Sequence, residues 1–142
     1  MAADTVTNVG KPSLADESKY VVHLTGISGD GAGESDIVKI DRSALLLPGA
    51  AAPTAPSRIN ISSIRWNIQG FSYIKLAWNH TIDDTIAVLS GNGYDNWEEA
   101  GNLIDPNTSG DVITGAIGDV QLTSIGAAAG ASYDITIVCQ LS

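Results

Sequence analysis

Two histidines, His23 and His80, and one cysteine, Cys139, are the residues best suited to base or nucleophile chemistry, and their neighbours decide whether they can perform it. An imidazole works as a base when a nucleophile lies within hydrogen-bond reach and a third group orients the ring. His23 falls inside the alternating run KYVVHLTGIS, which marks it as a half-buried strand residue. His80 stands beside Asp83 and Asp84, a grouping able to hold a metal weakly, yet no second His or Cys follows at zinc spacing. Asp83 and Asp84 are adjacent, so in a strand their carboxyls point to opposite faces and form no dyad. Cys139 sits in an apolar alternation within an acidic half of the chain, where a thiol serves as a small buried hydrophobe and not as a nucleophile.

Two loops offer other chemistry. GDGAGESD brings Asp30, Glu34 and Asp36 together as in a calcium loop, but the acids miss the EF-hand order and no terminal Glu stands at the required distance. Its glycines, Gly29, Gly31 and Gly33, recur every second residue with no helix after them, which is not a dinucleotide fingerprint. The stretch DDTIAVLSGNGYDNW begins as a strand through Ile86 and Val88, turns at SGNG, and ends in Tyr94, Asp95, Asn96 and Trp97. Trp97 and Tyr94, with neighbouring Asp95 or Asn96, are the candidate sugar platform, with or without calcium. Trp66 and Trp78 have the same aromatic area but the setting of packing anchors. The expectation is therefore no catalytic, cofactor-binding or metal residue, and no enzyme.

Charge narrows the partners. Seven basic residues oppose sixteen acids for a net charge of −9, and Lys75 is the last base. The nine acids beyond it, from Asp83 to Asp134, carry the whole imbalance. Phosphate binding draws on clustered Lys and Arg, so nucleic acid is not expected as a partner. Charged residues make up only 16% of the chain, which leaves much of the surface to neutral Ser, Thr, Asn and Gly, as in β-sandwiches and in assembled proteins. The first twenty residues have no apolar segment of signal-peptide type, and no run reaches membrane-spanning length, so a soluble chain without membrane contact is expected.

The elements that must position these residues read as strands. Residues 1–19 lack an apolar period and read as a flexible arm, leaving 20–142 as one domain. Tyr20, Val22 and Leu24 alternate with Val21, His23 and Thr25, and DIVKID after the glycine turn suggests a hairpin partner. LLLPGAAAPTAPS, broken by Pro48, Pro53 and Pro56, reads as a surface loop. In RINISSIRWNIQ the apolar phase moves from Ile59 and Ile61 to Ile64, Trp66 and Ile68, which predicts a bulge or bend at Ser62-Ser63. A turn near Gly70 then suggests a hairpin with the strand carrying Ile74, Leu76 and Trp78. YDNWEEAGNLIDPNTSGDVITGAIG reads as irregular, with one helical turn near Trp97 to Ala100, before DVQLTS and SYDITIVCQLS close the fold. The period-two pattern predicts an all-β antiparallel sandwich of jelly-roll type with seven or eight strands.

Taken together, VVHLTGISGDGAGESDIVKID, INISSIRWNIQGFSYIKLAWNHTIDDTIAVLSGNG and SYDITIVCQL resemble small β-sandwich structural proteins of tailed bacteriophages, over roughly residues 20 to 141. The likeness is to head decoration, or cement, proteins, which brace neighbouring capsomers. It implies a place on the capsid surface of a virion, the major capsid protein as partner, and a homo-oligomer, a trimer by analogy with threefold sites. It transfers no site residue. In that setting residues 1–19 are expected to lie on the shell. Lys39, Arg42, Arg58, Arg65 and Lys75 are expected to face the shell or a neighbouring subunit, with Glu98, Glu99 and Asp105 outward. The alternatives are a phage tail or baseplate component and a carbohydrate-binding sandwich built on Trp97 and Tyr94.

Overall fold

The computed structural model describes residues 5–12, 19–29, 31, 33–35, 37–41, 59–79, 84–104 and 119–141. Among the described residues ten strands run in chain order: β1 (Thr5–Pro12), β2 (Lys19–Ile27), β3 (Ile37–Ile40), β4 (Ile59–Gln69), β5 (Tyr73–Trp78), β6 (Asp84–Leu89), β7 (Asn92–Asn96), β8 (Leu103–Ile104), β9 (Val120–Ile125) and β10 (Ser132–Leu141). The sandwich body consists of β2 to β7, β9 and β10. These eight strands pair as nested antiparallel partners: first with last (β2 with β10), second with seventh (β3 with β9), third with sixth (β4 with β7), fourth with fifth (β5 with β6). Further pairing of β10 with β4 and of β9 with β5 divides the ribbon into two sheets, β2-β10-β4-β7 and β3-β9-β5-β6. That nested pairing, wrapped into two sheets, is the jelly roll that the alternation predicts. Short β8 adds to β4, and β1 adds to the free edge of β2.

Alternating side chains from both sheets meet in one core. Val22 and Leu24 of β2, Ile64 of β4, and Ile135 and Ile137 of β10 face Ile74 and Leu76 of β5 and Val120 and Leu122 of β9, all buried. Each fully buried Leu or Ile contributes about 1.5–3 kcal/mol, so this interdigitated layer stabilises the body far more than its polar pairs do. Trp78 lies in the core as an anchor, while Trp66 is partly buried and donates its indole N–H to the Ser90 carbonyl at 3.0 Å. The phase change in β4 is a bulge. Val138 faces Ser63 and Cys139 faces Ile61, leaving Ser62 as the extra residue. Its carbonyl accepts from the Trp97 N–H at 2.7 Å, at the point where the partner of β4 changes from β7 to β8.

Several expectations need correction. Thr5–Pro12 is a strand in register with Tyr20–Ile27, so that part of the 1–19 segment is not a flexible arm. Backbone pairing on an open edge requires β-competent residues such as Thr5, Val6, Thr7 and Val9 but no apolar period, which is why the pattern misses it. Neither expected hairpin exists: β3 lies in the opposite sheet from β2, and β5 in the opposite sheet from β4. The chain crosses between sheets in both places, and alternation toward a shared core looks the same whichever sheet a strand joins. A second bulge leaves Ile86 unpaired between Leu76 and Ala77, so Leu89 points inward and Val88 outward. The helical turn at Glu98–Ala100 is a single 3-10 turn, and part of the segment read as irregular is β7. The proline-rich segment lies outside the described residues. Among the described residues, no helix is long and apolar enough to cross a membrane.

Candidate functional site

Among the described residues, those singled out for chemistry do not converge. His23 is on the outer face of β2 and exposed, not half-buried, and its Nε2 lies 2.7 Å from Asp134 Oδ1 on the neighbouring strand. His80, Asp83, Asp30 and Asp36 lie outside the described residues, as do Arg42, Arg58 and Asp105. Cys139 is buried on the inner face of β10, and burial pushes its thiol up to about 12. Among the described residues no three His, Cys, Asp or Glu side chains gather around one point.

Glu34 is part of an internal latch. Its Oε1 accepts from Lys39 Nζ at 2.6 Å and its Oε2 from the Tyr133 hydroxyl at 2.6 Å. Tyr133 reaches it because its ring lies over Gly26, its cross-strand partner, where any Cβ would collide with the aromatic carbons. Burial first, then the bond to Glu34 and the charge of that carboxylate, push the Tyr133 phenol well above the ordinary tyrosine range. The Glu34 backbone is fixed as well, with its N–H on Ser124 Oγ at 2.8 Å and its carbonyl accepting from the Ser124 N–H at 2.9 Å. The latch ties β10 of one sheet to β3 and β9 of the other. It also overturns the expected basic face, because the Lys39 side chain is 1% exposed and held inside. Arg65 and Lys75 project from the outer faces of opposite sheets, each alternating with core residues, so these two share no side.

The aromatic loop is split too. Trp97 packs partly buried against the core, whereas Tyr94 is exposed on the outer face of β7. Asn96 links Tyr94 to the backbone beyond Trp97, donating from Nδ2 to the Tyr94 hydroxyl at 3.1 Å and accepting on Oδ1 from the Glu98 N–H at 2.9 Å. Asp95 stands opposite Ile64 in register, away from Tyr94, so of the two polar neighbours expected beside the aromatic pair only Asn96 meets Tyr94.

A different constellation does form. On the outer face of the β2-β10-β4-β7 sheet, Arg65, Asn67, Asn92, Tyr94, Asp134 and Thr136 line an open depression of about 640 Å³. Register explains the grouping: Arg65 stands opposite Thr136 on one side and Tyr94 on the other, and Asn67 opposite Asp134 and Asn92. The Arg65 guanidinium lies over the Tyr94 ring, 5.3 Å from its centroid. A smaller hollow of about 350 Å³ shares Asn67 and Asp134 and continues toward Thr25 and Gln69. The sequence hides this site because its residues come in pairs two apart from three distant strands, each pair reading only as a polar outer face.

No family model, no curated protein and no solved structure matches the chain.

Proposed function

We propose that the chain is a virion structural protein, a decoration protein that adheres to the outer surface of a phage head and braces neighbouring capsomers. The observation that carries this reading is the outer face of the β3-β9-β5-β6 sheet. Val38, Tyr73, Val88 and Ile125 all project from it, and all are exposed. Tyr73 stands directly opposite Ile125, Val88 opposite Lys75, and Val38 opposite Gln121, so each of the four strands presents an exposed apolar side chain on this face, interleaved with polar ones. Exposed apolar area of this kind marks a contact surface. Adhesion through it requires a rigid frame and no bond-making chemistry, and the two-sheet core supplies that frame. The resemblance over residues 20 to 141 points to the major capsid protein as the other side of the contact and to a homotrimer as the bound form.

Immunogold electron microscopy with an antibody raised to the chain, applied to virions from a producing culture, tests the reading. Regular labelling of heads is expected, and a Val88→Asp copy should lose head occupancy while keeping its fold. Label confined to tails would assign the tail alternative, and label only in the soluble fraction would overturn both.

A further inference from the structure

We propose that the outer face of the β2-β10-β4-β7 sheet, opposite the apolar face, is a binding site for a neutral oligosaccharide. Arg65, Asn67, Asn92 and Asp134 form its hydrogen-bonding floor and Tyr94 its aromatic wall. The register builds two polar rows across four strands: His23, Thr136, Arg65 and Tyr94 in one, Thr25, Asp134, Asn67 and Asn92 in the next. With neighbouring strands about 4.8 Å apart, each row spans roughly 14 Å, room for a chain of several sugar rings. Both rows stand on paired strands and not on loops, which holds their groups in fixed positions.

The chemistry of the rows selects the ligand. A sugar hydroxyl both donates and accepts, and the floor offers both: the amides of Asn67 and Asn92 carry donors and acceptors, Arg65 donates, and the Asp134 carboxylate, one oxygen of which already meets His23, accepts on the other. Among the described residues, no side-chain hydrogen bond engages Asn67, Asn92 or Thr136, and no carboxylate pairs with Arg65. Stacking on Tyr94 orients the guanidinium without consuming its N–H groups. The local charge is balanced, one guanidinium against one carboxylate, on a chain of net charge −9 that repels polyanions. An uncharged ligand suits that field. A peptide fits less well over the rows: the backbone groups of β10 and β4 are already paired on both sides, and a strand added at the open edge of β7 would lie beside the rows and not across them.

Titration of the full chain, followed by backbone amide chemical shifts, tests the site with maltohexaose, cellohexaose, mannohexaose, galactohexaose and chitohexaose. Hexagalacturonate serves as the charged counterpart. At least one neutral probe is expected to shift the amides of residues 65–67, 92–94 and 134–136. Arg65→Ala and Asn67→Ala should each weaken that binding about tenfold, the loss of one strong hydrogen bond, without disturbing the other resonances. Tyr94→Phe should bind nearly as the parent does, and Tyr94→Ala more weakly. Absence of binding by every neutral probe, shifts confined to other surfaces, or binding of the uronate alone would overturn the proposal. Because the two sheet faces are opposite, that failure would leave the capsid reading intact, and loss of head occupancy would leave this site intact.

Discussion

Cys139 shows how much a single buried group can report. With no exposed surface its thiol is held in the neutral form, and its pKa moves from 9.0 up to about 12, by burial alone. Above pH 9 the unfolded chain releases this proton while the folded chain keeps it. Stability is therefore unaffected below that pH and falls by roughly 1 kcal/mol per pH unit from there to about 12. Tyr133, raised by burial and by Glu34, and Tyr20, raised by burial and then by Cys139, act in the same direction at higher pH. Urea midpoints measured from pH 8 to 11 should decline less steeply for Cys139→Ala than for the parent. Parallel curves would mean that the thiol is solvated. The burial of Cys139 is readable from the strict alternation of Tyr133, Ile135, Ile137 and Cys139. The latch is not: Glu34 reads as a turn acid and Lys39 as a surface base, because their partnership depends on how two sheets are superposed and not on local spacing.

At the scale of elements, alternation discloses which side of a strand is buried and where that side changes. It located the Ser62 bulge from four isoleucines. It does not disclose partners, which is why β4 and β5 read as a hairpin although they lie in different sheets. Nor does it reveal β7, where Asn92, Gly93, Tyr94, Asp95 and Asn96 offer no apolar residue to mark an inner side. The φ of +61° at Gly91 supplies the turn between β6 and β7 that SGNG foretold. The bulge itself makes a sharp prediction. Deleting Ser62 leaves Ile59, Ile61 and Ile64 pointing inward but removes the acceptor for the Trp97 N–H, so it should cost about 1–3 kcal/mol and keep a cooperative unfolding transition. Inserting one glycine between Ile64 and Arg65 reverses those three isoleucines relative to Ile68 and should abolish the transition. Equal stability of the two proteins in urea melts would show that β4 is not held in register by its core side.

For the whole molecule, the strand count and the turn spacing were enough to name the architecture, while the two outer faces, one apolar and one polar, emerged only when cross-strand register was known. Strand β1 stands apart from that body, attached along one edge of β2. Removing residues 1–12 should leave a single cooperative unfolding transition and lower the Tm by about 5 °C, in line with a loss of 1–2 kcal/mol for a chain of this size. A truncated protein without that transition, judged by calorimetry, would make β1 part of the folding unit.

The nested pairing of β2 with β10 also governs how the protein comes into being. His23 and Asp134 are 111 residues apart in the chain, and β10 lies between β2 and β4 at the middle of its sheet. During synthesis β2 and β4 therefore emerge from the ribosome long before the strand that joins them, with their inner isoleucines and valines uncovered. Closing so long a loop makes folding slow. The nascent chain must be shielded until residue 141 is free, and chaperone demand, more than final stability, should set how much of it a cell can accumulate.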